Sequence, residues 1–200
     1  MIQKADKQNL QRLVFATEPG VGTSLEEPEK VVSQLENYLS PMVGVPVQVL
    51  LGENYEAILT GMERGEIDAA RLGPYAFALA QARFGAHALV NSVDIDTSAA
   101  RRPPPYRCMI FTRADSGITH LAQLRGQLVG FVDPHSASGY LVPTFLFQQV
   151  GLDIVQDIQP LFLFGHRAVA EAVSAGEVVA GAMAEEEFVP YLEEHPAPEL

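Results

Sequence analysis

Strand-like and helix-like hydrophobic patterns alternate along this 200-residue chain, and the alternation restricts its fold more than any other feature. Short apolar runs predict strands at 12–17, 45–51, 67–72, 86–93, 106–112, 127–132, 158–164 and 178–183. Apolar residues at helical spacing predict helices at 28–42, 55–64, 74–83, 119–124, 138–150, 166–175 and 185–194. Repeated β-α-β units imply an α/β fold whose sheets are mostly parallel and flanked by helices.

The alternation is interrupted once, at residues 94–105. This stretch contains two aspartates, two successive arginines and three successive prolines, which are typical of an exposed connection. We therefore expect two α/β lobes, residues 12–103 and 104–200. Ligands of open α/β sheets lie at the carboxyl ends of strands, and a cleft between two lobes is a favoured place.

Charge and hydropathy exclude several classes of partner. The formal net charge is −12, which opposes binding to nucleic acid or to an anionic lipid surface. No apolar run approaches the length of a transmembrane helix. The polar N-terminus lacks the apolar core of a signal peptide, so the chain is either cytoplasmic or has lost an export signal.

The segment Phe131–Tyr140, FVDPHSASGY, joins a predicted strand to a predicted helix. Ser136 and Ser138 stand where this helix begins. The first amides of a helix lack intrahelical partners and lie at the positive end of its dipole, and serine hydroxyls there add further donors. Such a group of donors suits a small oxyanion without a lysine or a metal. An ordinary helix N-cap is an equally good interpretation of the same residues.

Two other junctions between a strand and a helix contain suitable residues. At Gly165-His166 the imidazole can donate an N–H group to an anion, although a plain helix start is slightly favoured. At Gly73-Pro74-Tyr75 the proline suits a first helical turn, and the glycine lets a ligand approach backbone amides. Tyr55 and Tyr106 open elements beside these junctions, either as core aromatics or as O–H donors.

Other chemistry is not indicated. The five histidines have no metal-ligand spacing among themselves or with Cys108, so no metal site is predicted. Cys108 lies in an apolar run and is expected to pack as a small hydrophobe. The run Glu185–Glu187 is typical of a solvated first helical turn. No Gly-x-Ser-x-Gly motif is present, and Ser136 has no evident base.

The chain resembles the substrate-binding proteins of phosphate, phosphite and phosphonate ABC transporters, which have the type 2 periplasmic-binding-protein fold of two Rossmann-like lobes. The resemblance extends in order from about residue 13 to residue 183. Five segments carry it: Gly65–Ala80, which contains Leu-Gly-Pro; Asp115–Gly126; Phe131–Tyr140; Gly165-His166; and Ala172–Val178. The family binds a tetrahedral phosphorus oxyanion between its lobes, without a cofactor or a metal.

The resemblance implies a ligand site in this chain. Ser136, Ser138 and Gly139 would hold the oxyanion, and Tyr55, Tyr106 and His166 would donate to it from facing walls. The complete set of predicted ligand-binding residues is Tyr55, Pro74, Tyr75, Tyr106, Ser136, Ala137, Ser138, Gly139 and His166. The implied function is binding of phosphate, phosphite or a simple phosphonate for delivery to the permease of an ABC importer. The implied location is the periplasm or cell envelope.

Three departures from the family pattern qualify this expectation. Ala137 replaces the usual threonine, which removes one hydroxyl, and Val179 replaces the usual aspartate. The chain ends at Leu200, whereas family members continue and return to complete the first lobe. An incomplete first lobe is therefore expected, either finished by a partner chain in a dimer or simply smaller.

Two other functions fit the same residues. A ligand-sensing module of a signalling or regulatory system would use the same fold. A hydrolase that uses Ser136 or Ser138 as nucleophile would need a paired base, which the sequence does not show, so we expect a protein that is not an enzyme.

Overall fold

The computed structural model describes residues 11–17, 28–91 and 106–195. Its seven strands are β1 Leu13–Thr17, β2 Val47–Leu51, β3 Ala69–Arg71, β4 Cys108–Thr112, β5 Leu128–Phe131, β6 Gln159–Phe162 and β7 Ala180–Ala184. Its six α-helices are α1 Pro28–Val43, α2 Tyr55–Glu63, α3 Pro74–Phe84, α4 Val142–Gln149, α5 His166–Ser174 and α6 Glu185–Glu194. The predicted α/β class is confirmed. The connection predicted at 94–105 lies outside the described residues.

Local sequence signals fix several element boundaries. α1 begins at Pro28, as predicted. The side chain of Asn54 accepts a hydrogen bond from the amide of Ala57 and caps α2 one residue before the predicted helix start at 55. After α2 the chain reverses through Gly65, whose φ of 72° is available to glycine at no steric cost.

One predicted strand is wrong. Residues 86–91 of the predicted strand 86–93 form no strand, and residues 92 and 93 lie outside the described part of the chain. Leu89 and Val90 are 84% and 89% exposed. An apolar run becomes a strand only where a neighbouring strand accepts its backbone hydrogen bonds, and this run has no such neighbour among the described residues.

The chain divides into two compact units between Leu72 and Gly73. The first unit contains a parallel sheet in the order β2–β1–β3. The predicted lobe boundary at 103/104 lies outside the described residues, and it stays a prediction.

The second unit contains a four-stranded sheet in the order β4–β7–β5–β6. β5 is parallel to both β6 and β7, whereas β4 is antiparallel to β7. Successive residues of β5 face opposite sides, so Phe131 joins a core cluster with Phe147 and the next residue, Val132, joins one with Val169. Helices therefore cover both faces of this sheet, as the repeated β-α-β units predicted.

Candidate functional site

The carboxyl ends of β5, β6 and β7 meet at one edge of the second sheet because these strands run parallel. β4 runs in the opposite direction and begins at that same edge. The segments that follow the three parallel strands, together with the residues that precede β4, therefore lie in one region. Ligands of open α/β sheets bind at such edges.

The serine turn, residues 133–139, follows β5 at this edge. Ser136 caps the next helical segment, and its Oγ accepts the amide hydrogen of Gly139 at 3.0 Å. The segment Ala137–Leu141 is a single π-helical turn before α4, whereas the sequence predicted a continuous helix from Ser138. The amides of Ala137 and Ser138 have no intrahelical acceptor and make no backbone hydrogen bond to another described residue. Both interpretations of the turn, a helix cap and an anion site, fit this geometry.

Gly139 is required by the packing of the turn. A Cβ atom at this position would lie 2.4 Å from Cγ2 of Val132 and 3.0 Å from Oγ of Ser136. The Gly139 carbonyl also accepts the amide hydrogen of Val132 at 3.2 Å. The close approach of the two backbone segments excludes any larger residue and holds the turn against the end of β5.

Ser138 and Tyr106 are brought together by the fold. Their hydroxyl oxygens lie 2.6 Å apart, and Ser138 is fully buried whereas Tyr106 is 46% exposed. Either hydroxyl can be the donor in this hydrogen bond. The sequence predicted both residues but not their contact.

The buried carboxylate of Asp133 stabilises the serine turn by accepting a backbone hydrogen bond within it. Asp133 is 1% exposed, and its Oδ1 accepts the amide hydrogen of His135 at 2.7 Å. The same oxygen lies 3.0 Å from Nδ1 of the His135 ring. No motif in the sequence predicted a role for Asp133. An Asp followed two residues later by a bonded amide is an Asx turn, and the Asp-Pro-His sequence was the available signal.

His166 is the first residue of α5, and its ring is oriented by the end of β7. The amide of Ala184 donates to Nδ1 of His166 at 3.2 Å. Because a backbone N–H always donates, Nδ1 is the acceptor, and the proton of the neutral ring is on Nε2. His166 is therefore a neutral N–H donor whose orientation is fixed by another strand.

The remaining predicted residues lie on other elements. Pro74 and Tyr75 begin α3, which contacts the π-helical turn that contains Ala137. Gly73 caps α3 without a side-chain hydrogen bond. Tyr55 is 3% exposed in the core of the first unit, which fits the interpretation as a core aromatic; its role as a ligand donor stays a prediction.

Val179 lies at the end of β7 that is opposite to the ligand edge. It immediately precedes β7, and its amide donates to the carbonyl of Leu128, the first residue of β5. Five strand residues therefore separate it from the ligand edge, a distance of roughly 16 Å.

None of the helices among the described residues has both the length and the apolar character needed to span a membrane. Within residues 11–17, 28–91 and 106–195, no three His, Cys, Asp or Glu side chains are grouped so that they could hold a metal ion.

A solved structure shows the same fold. PhnD1 from Prochlorococcus marinus, in complex with methylphosphonate, superimposes with a TM-score of 0.77 at 20% sequence identity. The match covers 96% of this chain and 74% of that chain. The chain therefore has the type 2 periplasmic-binding-protein fold.

Sequence comparison then identifies the family. The family described as "ABC transporter, phosphonate, periplasmic substrate-binding protein" matches residues 23–199, and the chain belongs to this family. The phosphate-import protein PhnD of Mycolicibacterium smegmatis is 31% identical over 151 residues, which cover 72% of this chain and 46% of that protein. The phosphonates-binding periplasmic protein of Escherichia coli is 26% identical over 162 residues, 78% of this chain and 46% of that protein. The chain spans about half the length of these curated relatives.

Proposed function

We propose that this protein binds a small phosphorus oxyanion, which is phosphate, phosphite or a simple phosphonate, and delivers it to the permease of an ABC importer in the periplasm. The observation that carries the proposal is the buried Ser138 hydroxyl, 2.6 Å from the Tyr106 hydroxyl at the carboxyl edge of the second sheet. The names and ligands of the relatives support it, because they include phosphate import, phosphonate binding and bound methylphosphonate.

Neutral donors supply the chemistry of this site. The Ser138–Tyr106 pair, the Nε2 hydrogen of His166 and the amides at the start of the π-helical turn each present an N–H or O–H group. Hydrogen bonds to a charged acceptor are about twice as strong as those between neutral groups. These dipoles can hold an anion in a protein whose net charge is −12, because a local field dominates in a site that excludes water.

The same contacts favour binding over catalysis. The Ser138 hydroxyl is paired with a tyrosine, whose ordinary pKa near 10 makes it a poor general base at neutral pH. We therefore propose that the protein is not an enzyme. A dimer that completes the first unit stays a prediction from the family resemblance.

Thermal unfolding with and without ligand tests the proposal. At a hundred times its dissociation constant, phosphate, phosphite or methylphosphonate should add about 2.7 kcal/mol of stability and raise Tm by roughly 5–10 °C. Methanesulfonate, a tetrahedral anion without phosphorus, is the comparison ligand.

The serine turn is tested by the double variant Ser136→Ala with Ser138→Ala. It should unfold cooperatively and show no ligand-induced shift. Ser33→Ala is the matched control, because the exposed Ser33 hydroxyl donates only to the carbonyl of Glu29 in its own helix. The binding site lies elsewhere if the double variant retains the ligand-induced shift, and the proposed function is wrong if no phosphorus oxyanion shifts the wild-type protein at millimolar concentration.

A further inference from the structure

Phe164 has a backbone conformation that side chains of its size avoid. Its φ is 55°, and it is the one non-glycine residue with a positive φ in the described ranges. L-residues with a Cβ atom meet steric repulsion in this left-handed region, and bulky residues are found there rarely. Strained residues of this kind persist where the surrounding structure enforces them, and they cluster at functional sites.

Two backbone hydrogen bonds enforce the conformation. Leu163 donates to the carbonyl of Phe131 at 2.9 Å, and Phe164 donates to the carbonyl of Val132 at 2.8 Å. The chain that leaves β6 is thereby attached to the residues that lead into the serine turn. Two residues later, His166 accepts the amide hydrogen of Ala184. Phe164 therefore lies between two segments of the candidate site.

A glycine follows the strained residue but does not use the conformational freedom of glycine. Gly165 has a φ of −166°, which is extended backbone that any residue adopts. A Cβ atom at Gly165 would have its nearest neighbour, the Cβ atom of Ala168, at an ordinary contact distance of 3.7 Å. The sequence thus places an aromatic ring where glycine would relieve strain, and glycine where neither φ nor packing requires it. A phenylalanine with a positive φ costs conformational energy. Its presence here therefore indicates that the ring has a function.

The ring is not needed by the core. Phe164 is 45% exposed and belongs to neither core cluster of the second unit. It also forms no ring pair with another aromatic side chain of the described residues, whereas Phe131 packs against Tyr140, Phe147 and Phe162. An apolar surface beside a few convergent donors is the usual composition of a site for a small organic ligand.

We propose that Phe164 is a specificity-determining residue, whose ring receives the carbon substituent of an organic oxyanion such as an alkylphosphonate. The donors of the serine turn and His166 hold the oxyanion end, so this inference rests on the proposed function. Phosphate has no carbon substituent and does not benefit from the ring. The protein should therefore prefer alkylphosphonates over phosphate by an amount that depends on residue 164.

Calorimetric titration of phosphate, methylphosphonate and propylphosphonate into four proteins tests the proposal. Phe164→Asn removes the ring and introduces a residue that tolerates left-handed backbone. Phe164→Leu keeps an apolar side chain and keeps the strain. Phe145→Asn is the matched control, because Phe145 is a phenylalanine on α4 that is 58% exposed.

Phe164→Asn should weaken alkylphosphonate binding about tenfold relative to phosphate, the low end of what one apolar group contributes to discrimination. It should also raise Tm by about 2–4 °C, since the left-handed strain is relieved. Phe164→Leu should retain most of the preference and show no rise in Tm. Phe145→Asn should leave the ratio of the two affinities unchanged.

The outcomes separate the two proposals. If the wild-type protein binds phosphorus oxyanions and Phe164→Asn leaves the affinity ratio unchanged, the role of Phe164 is refuted and the proposed function survives. A fall in Tm for Phe164→Asn would show that the ring stabilises the fold, which also overturns the argument from strain. If the wild-type protein binds none of the three compounds, the proposed function fails and this inference fails with it.

Discussion

The hydroxyl oxygens of Tyr106 and Ser138 lie 2.6 Å apart, although 32 residues separate them in the sequence. Tyr106 precedes β4 and Ser138 follows β5, and β7 lies between these two strands in the sheet. The contact therefore links the two sides of the ligand edge. It also provides a hydrogen-bond partner for the Ser138 hydroxyl, which is completely buried.

A double-mutant cycle measures this contact. Tyr106→Phe and Ser138→Ala should each lower the free energy of unfolding by about 1 kcal/mol, because each removes one hydrogen bond. Their combination should cost less than the sum by about 0.5–1.5 kcal/mol, since the second substitution finds the bond already absent. Urea unfolding provides the measurement, with Tyr38→Phe on the exposed face of α1 as control. Strictly additive effects would show that the two hydroxyls do not interact in solution.

Two glycines in the second unit should respond differently to alanine. Gly139→Ala places a Cβ atom 2.4 Å from Val132 and should destabilise the protein by about 1–3 kcal/mol, the usual cost of overpacking. Gly165→Ala meets nothing closer than 3.7 Å and keeps an ordinary φ, so it should change stability by less than about 0.5 kcal/mol. Thermal and urea unfolding of the two variants give the comparison. Equal stabilities would contradict the packing described for the serine turn.

The orientation of His166 can be tested through a backbone atom of another strand. Ala184→Pro replaces the hydrogen that is donated to Nδ1 by the proline Cδ atom, which displaces the imidazole, and the native φ of −72° already suits proline. The variant should fold, lose the fixed orientation of the imidazole, and bind methylphosphonate about tenfold more weakly, because one hydrogen bond to the charged ligand is lost. Ring nitrogen chemical shifts at neutral pH should report Nε2–H in the wild-type protein and a mixture of tautomers in the variant. A wild-type ring protonated on Nδ1 would refute this geometry.

Cys108 should react slowly in the folded protein. Burial raises the pKa of its thiol from 9.0 to about 11, and the thiolate is the reactive form. At pH 8, alkylation by iodoacetamide should therefore be about a hundredfold slower in the native protein than in urea. Comparable rates in the two states would show that the thiol is not buried in solution.

The same shift makes stability depend on pH. Above pH 9 the unfolded thiol loses its proton before the folded thiol does, so the folded state binds more protons and stability falls towards pH 11. Cys108→Ala should remove the contribution of the thiol to the loss of stability at alkaline pH. Unfolding curves at pH 8, 9.5 and 10.5 for both proteins measure the difference. Identical pH slopes would contradict the burial of the thiol.

The sequence by itself determined the elements whose signals are local. Asn54 accepts the hydrogen bond that caps α2, Pro28 begins α1, and the serines at 136 and 138 lie where a strand gives way to a helical segment. Each depends on atoms within a few residues, so propensity and side-chain chemistry were sufficient. The alternation of strand-like and helix-like patterns also predicted the α/β class, because the spacing of apolar residues in an element reflects which of its faces is buried.

Only the tertiary structure decided which of these residues meet. The Tyr106–Ser138 contact, the orientation of His166 by Ala184 and the remoteness of Val179 all depend on strand order and direction. The apolar run at 86–91 failed as a strand for the same reason, because strand formation needs a neighbouring partner that no local pattern supplies. Hydrogen bonds between distant segments, including the one that fixes the left-handed turn at Phe164, form only when the whole sheet is assembled.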